Sequence, residues 1–138
     1  MTSAAEVLAA TGSVLLIDWP DRDVPETLAR AGYRVVSRDG PGADDYMAYE
    51  LAGSEVVSRS LEAEPDRADL VYTHRPFDEL PEILELARRV GARAIWSEAG
   101  PDSPGADRAR RTVEAAGITY VDAPRITDAA RHQHPPAH

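Results

Sequence analysis

At 138 residues and 43% hydrophobic content, the chain has the size and apolar share of one domain built around a continuous core. Its 24 acidic residues against 15 basic ones, a net charge of −9, argue against a generic nucleic-acid or anionic-membrane surface, so neither partner is expected. The absence of cysteine excludes disulfides, thiolate zinc sites and thiol catalysis; with no basic leader and no membrane-length apolar run, a cytoplasmic protein is expected.

Residues 1–12 read as an N-terminal extension or short helix, ahead of a domain at 13–128 and a flexible tail at 129–138. The first firm element is "SVLLID" (13–18), a continuous apolar run of the buried parallel-strand type. After a polar turn, Val24, Leu28 and Ala31 recur at helical spacing, Asp23 and Glu26 stand as a capping box, and Gly32 supplies a left-handed stop. The strand "YRVVS" follows. "DGPGADD" reads as a loop and "YMAYEL" as one or two helical turns.

"EVVSR" (55–59) and "ADLVYTH" (68–74) read as two strands separated by the turn-rich "EAEPDR". Ile83, Leu84, Leu86, Ala87 and Val90 mark one face of a helix that Gly91 closes, with Glu85 and Arg89 spaced to pair on its wet side, and the strand "ARAIW" follows. Ser103 is placed to cap the next helix and Pro104 to open it. Ala106, Ala109, Val113 and Ala116 form its buried stripe, and Gly117 ends it before the strand "ITYVD". Helix, glycine and short strand, three times over, is the rhythm of right-handed β-α-β crossovers. The expected fold is α/β: a three-layer, Rossmann-like domain whose mostly parallel sheet of five or six strands carries helices on both faces.

In such sheets ligands bind beyond the carboxyl ends of the strands, where strand order reverses. That rule nominates Asp18 to Asp21, Arg38 and Asp39, His74 and Arg75, Ser97 to Gly100, and Asp122 to Arg125. The order of segments also resembles the stand-alone CoA-binding Rossmann-like family, related to the N-terminal domain of the succinyl-CoA synthetase alpha subunit. Three stretches carry the resemblance: "TLARAGYRVV"; "SLEAEPDRADLVYTHRPFDELPEIL"; and "GARAIWSEAG" with the closing "AAGITYVDAPRI". It spans roughly residues 13 to 128. It implies CoA or an acyl-CoA as ligand, surrounded by the turn after the first strand, the end of the second, the region after the fourth and the loop at Glu98–Gly100.

Two features depart from the family pattern. The small Gly/Ser-rich turn is replaced by Asp18, Trp19, Pro20, Asp21 and Arg22, and the Gln of a Gln-x-Gly loop by Glu98, ahead of Gly100. Both add negative charge where an anionic ligand is expected. Glycine lets backbone N–H groups approach phosphate oxygens, so without it the cations Arg22, Arg38 and Arg75 must neutralise phosphate. On this reading Trp19, Glu98 and Gly100 shape the adenosine side, and Asp122 to Arg125 close the rim. The plainer alternatives are that Asp18 and Asp21 organise the turn beneath Trp19 and that Arg75 pairs with Asp78 or Glu79.

Asp18 can be imagined holding magnesium if Asp21 or Asp122 converged on it, but a lone carboxylate is a poor site. Trp96 belongs in the core rather than against an adenine. His132, His134 and His138 lie in a Pro-rich tail without metal-ligand spacing. The leading expectation is therefore a nucleotide-binding module without catalysis of its own, alone or in a homodimer or other protein complex. One alternative is a small enzyme acting on a thioester or nucleotide-linked substrate, with His74 as acid-base and Asp18 or Glu98 as its partner. The other is an assembly protein whose pocket has been lost, Trp19 filling the place of a diphosphate.

Overall fold

The structure, a computed structural model, describes residues 3–40, 42, 45–100 and 103–132. Seven strands form one sheet: β1 (Ser13–Leu16), β2 (Arg34–Arg38), β3 (Tyr46–Ala52), β4 (Glu55–Leu61), β5 (Leu70–Thr73), β6 (Ala94–Ser97) and β7 (Thr119–Val121), in the order β4-β3-β2-β1-β5-β6-β7. The pairings of β2 with β1, β1 with β5, β5 with β6 and β6 with β7 are parallel, and β3 pairs antiparallel with both β2 and β4.

Alternation along the inner strands splits the core into two layers. Val14, Leu16, Leu70, Tyr72, Ala94 and Trp96 face one side; Leu15, Val71 and Ile95 face the other. The first layer is covered by α1 (Ala4–Ala9), α2 (Asp23–Arg30) and α5 (Ile126–Ala130), through Val7, Leu8, Val24, Leu28, Ile126 and Ala130. The second is covered by α3 (Leu80–Arg89) and α4 (Ala106–Ala115), through Leu80, Ile83, Leu86, Ala109 and Val113. Each fully buried leucine, such as Leu28, contributes about 2 kcal/mol through removal of its surface from water. The buried Val7 and Leu8 lie ahead of the boundary expected at residue 13, and the buried Ala130 beyond the one expected at 128.

Several local expectations are corrected. "YMAYEL" is strand, not helix: Tyr46 and Ala48 are buried while Met47 and Tyr49 are half-buried, a period of two, and Gly53 at φ +66° turns the chain directly into β4. This strand raises the sheet from five or six members to seven. Asp23 does not cap α2 as the first member of a capping box; Asp21 Oδ1 instead accepts the Asp23 N–H at 2.9 Å. Helix α4 starts later than Ser103 and Pro104 suggest, because Gly105 at φ +92° breaks the chain's course just before Ala106. Arg89 bonds Glu64 across the loop at 2.7 Å in place of Glu85. His134 and His138 lie outside the described residues. No described helix is long and apolar enough to cross a membrane.

Candidate functional site

The chain leaves β1 toward β2 on one side and returns through β5 on the other. The carboxyl ends of β1 and β5 therefore part around a crevice, the topological switch point of the sheet. Asp18 emerges just after β1, and His74 and Arg75 just after β5. Asp18 Oδ2 stands 3.9 Å from both His74 Nδ1 and Arg75 Nη1. Each of the three side chains is about two-fifths exposed, so they form a loose charged group open to solvent.

Two hollows flank this group. The first, about 700 Å³, is lined by Asp18, Trp19, Arg38, Asp39, Arg75 and Glu79, with Glu82 beyond. The second, about 420 Å³, is lined by Pro20, His74, Glu98, Asp122, Pro124 and Arg125. Trp19 packs against the α2-side core and forms a wall of the first hollow, leaving that volume open beside it. Gly100, Asp21 and Arg22 line neither hollow. Gly100 takes φ +117°, where a Cβ would strike Ser103 Oγ, so the residue serves its own loop. Asp21 holds the start of α2. The Arg22 side chain is 83% exposed and turned toward Glu26 at 3.4 Å.

The first hollow carries more acid than base. Arg75 donates through Nε to Glu79 Oε2 at 2.9 Å, and its Nη2 reaches the same oxygen. The i,i+4 spacing of that pair was visible in the chain. Arg38 donates through Nε to the Gly40 carbonyl at 3.3 Å. An anion in this hollow meets two guanidiniums and the carboxylates of Asp18, Asp39, Glu79 and Glu82.

The second hollow is built from groups that already have partners. Glu98 Oε1 accepts the Tyr72 hydroxyl at 2.8 Å, and Oε2 accepts the Ile126 N–H at the start of α5 at 2.7 Å. Burial, and next the Glu98 carboxylate, push the Tyr72 hydroxyl far above the ordinary phenol range. Nothing in the spacing of Tyr72, Glu98 and Ile126 announced this link, which joins β5 and the loop after β6 to a helix. Asp122 Oδ1 accepts from Arg110 Nη2 at 3.1 Å, while Arg110 also donates to the Tyr120 carbonyl and stacks over the Tyr120 ring. Arg125 is exposed at the mouth. Trp96 is fully buried and donates through Nε1 to the Pro124 carbonyl at 3.2 Å, across a loop containing a cis Ala123–Pro124 bond.

The carboxylates imagined around a magnesium ion do not converge. Asp21 and Asp122 are engaged elsewhere, and Asp18 faces two potential cations. Among the described residues, no cluster of three or more His, Asp or Glu could hold a metal. The 3.9 Å between His74 and Asp18 also exceeds a hydrogen bond.

No curated protein matches the chain. A solved Thermus thermophilus structure, that of cell-free ID.343, superimposes with a TM-score of 0.58 at 22% identity over 91% of this chain and 92% of that one, a likeness of fold. The family described as the CoA binding domain matches residues 18–126, from the turn after β1 to the first residue of α5. With most of its length inside that match, the chain belongs to the CoA binding domain family.

Proposed function

We propose that this protein binds CoA or an acyl-CoA at the crevice between β1 and β5 and performs no chemistry of its own. The observation that carries the reading is an open hollow of about 700 Å³ at the switch point of a chain of this family, with Arg38 and Arg75 on its wall. In the absence of a glycine cradle, these guanidiniums are the phosphate ligands, and the second hollow receives a less charged part of the molecule. Arginine suits this task because its planar fork offers five donors. Arg75 commits Nε and Nη2 to Glu79, leaving Nη1 for an incoming oxygen.

Thermal unfolding with and without CoA is the test. At about a hundredfold over its dissociation constant, a ligand specific to the folded state stabilises it by roughly 2.7 kcal/mol. Arg75→Ala then loses at least part of that gain, while retention of the whole gain removes Arg75 from the site. The four carboxylates lining the first hollow favour one other reading, an assembly protein whose anion site has decayed. It predicts no thermal shift with any nucleotide at high concentration.

A further inference from the structure

The two large apolar side chains exposed among the described residues, Leu51 and Val57, both belong to the β3–β4 hairpin. Strand β4 is the edge of the sheet, bonded to β3 in an unbroken register from Tyr46 opposite Leu61 to Ala52 opposite Glu55. An edge of this kind is ordinarily blunted by proline, lysine, a bulge or short length. β4 has seven residues, EVVSRSL, with no proline, lysine or bulge; charged side chains also blunt an edge, but the two here, Glu55 and Arg59, are opposite in sign. It is also held firmly: Arg30 at the end of α2 donates to the Ser54 carbonyl at 2.7 Å, pinning the hairpin turn to the body of the domain.

The side chains of β4 are arranged to read their own copy. Val56 packs against the α2-side core and Leu61 against the opposite core, so Glu55, Val57 and Arg59 share one face with Leu61. Antiparallel pairing of β4 with itself about a two-fold axis keeps faces matched, which limits the axis to passing beside a residue. An axis at Val57 sets each Glu55 opposite Arg59 of the partner subunit and Val57 against its own copy. An axis at Glu55 or Arg59 opposes like charges, and an axis at Val56 or Ser58 leaves Glu55 opposite an apolar residue. Arg59 holds Glu50 Oε1 through Nε at 3.2 Å and Nη2 at 2.8 Å, which leaves Nη1 for a second carboxylate. Glu55 has no ion-pair partner among the described residues.

We propose that β4 is a self-association edge: two copies of this chain join their sheets antiparallel about Val57, with Glu55 of each facing Arg59 of the partner subunit. One strand pair buries less area than a standard interface, so the association is of the weak, reversible kind. The partner is a second copy because the charge pattern is complementary to itself in one register.

Sedimentation velocity over a concentration series tests this. The wild-type mass rises from the 15.0 kDa of one chain toward twice that value. Val57→Lys sets two ammonium groups at the axis and holds the protein as monomer, with far-UV dichroism unchanged because Val57 is 44% exposed. Glu55→Arg and Arg59→Glu each oppose like charges and are monomeric alone, yet an equimolar mixture restores both pairs and forms a heterodimer. A wild-type chain that stays monomeric at the highest concentration, its edge then serving a different protein, overturns the proposal. A dimer that survives Val57→Lys, or a mixture that stays monomeric, overturns it equally.

Discussion

The rim beyond β1 and β5 and the rim beyond β6 and β7 carry the same kinds of residue and use them differently. At β1 and β5, Asp18 stands 3.9 Å from its neighbours His74 and Arg75 and remains open to solvent. At β6 and β7, Glu98 has a donor on each oxygen and Asp122 is bound by Arg110. A strand-end carboxylate whose acceptors are filled by the fold is part of the framework; one whose acceptors are free is available to a ligand. The number of bonds a group already makes, rather than its position at a strand end, separates the two.

The largest effect that can break this distinction is at Glu98. Glu98→Ala orphans the Ile126 N–H and the Tyr72 hydroxyl and is expected to cost about 3 kcal/mol of unfolding free energy in urea. Asp18→Ala should cost less than about 0.5 kcal/mol, and equal losses at the two sites would erase the contrast. Glu98→Gln keeps one acceptor for the Ile126 N–H and offers an amide donor to the Tyr72 oxygen, so most of the stability should return. Next in size, Arg110→Ala removes the Asp122 ion pair, a carbonyl bond and the stacking on Tyr120, a loss of about 1–2 kcal/mol in the same assay.

Asp69, at the opposite end of the sheet, sharpens the rule through pH. Burial works to raise its pKa, but the N–H groups of Gly12 and Ser13, which Oδ2 accepts at 2.8 and 3.2 Å, prevail and hold it below the usual carboxylate value. A lowered folded pKa means stability that is complete above the unfolded value, near about 3.9, and lost as pH falls through the folded one. Denaturation midpoints should fall below about pH 4 in the wild type, and Asp69→Asn should flatten that fall; an unchanged acid limb would count against the assignment. The smallest effect is at the open rim: Asp18→Asn removes one repulsive charge and should tighten CoA binding about threefold by titration calorimetry, from a Coulomb term of roughly 0.7 kcal/mol across about 6 Å of water.

Much of the fold was legible because parallel strands buried on both faces write themselves as apolar runs, and each crossover helix ends at a glycine. "SVLLID", "ADLVYTH" and "ARAIW" became β1, β5 and β6, and Gly32, Gly91 and Gly117 take positive φ where the helices stop. "YMAYEL" was misread because its apolar residues fit either period. The signal that could have decided it was the Gly53–Ser54 pair before "EVVSR", a hairpin turn that requires strands on both sides. The rim was legible as a set of positions, since the carboxyl ends of parallel strands must lie together. Its division into two hollows was not, because that depends on which side chains find partners far along the chain.

Composition and periodicity determined the layers of this protein, its net charge of −9 and the positions of its strand ends, because burial of apolar stripes acts on every turn and strand alike. Tertiary structure decided which charges remain free. Tyr72 and Glu98 are 26 residues apart and Glu98 and Ile126 are 28 apart, yet they share one carboxylate. Hydrogen bonds of a few ångströms depend on how strands and helices are brought together, and no local pattern in the chain encodes that meeting.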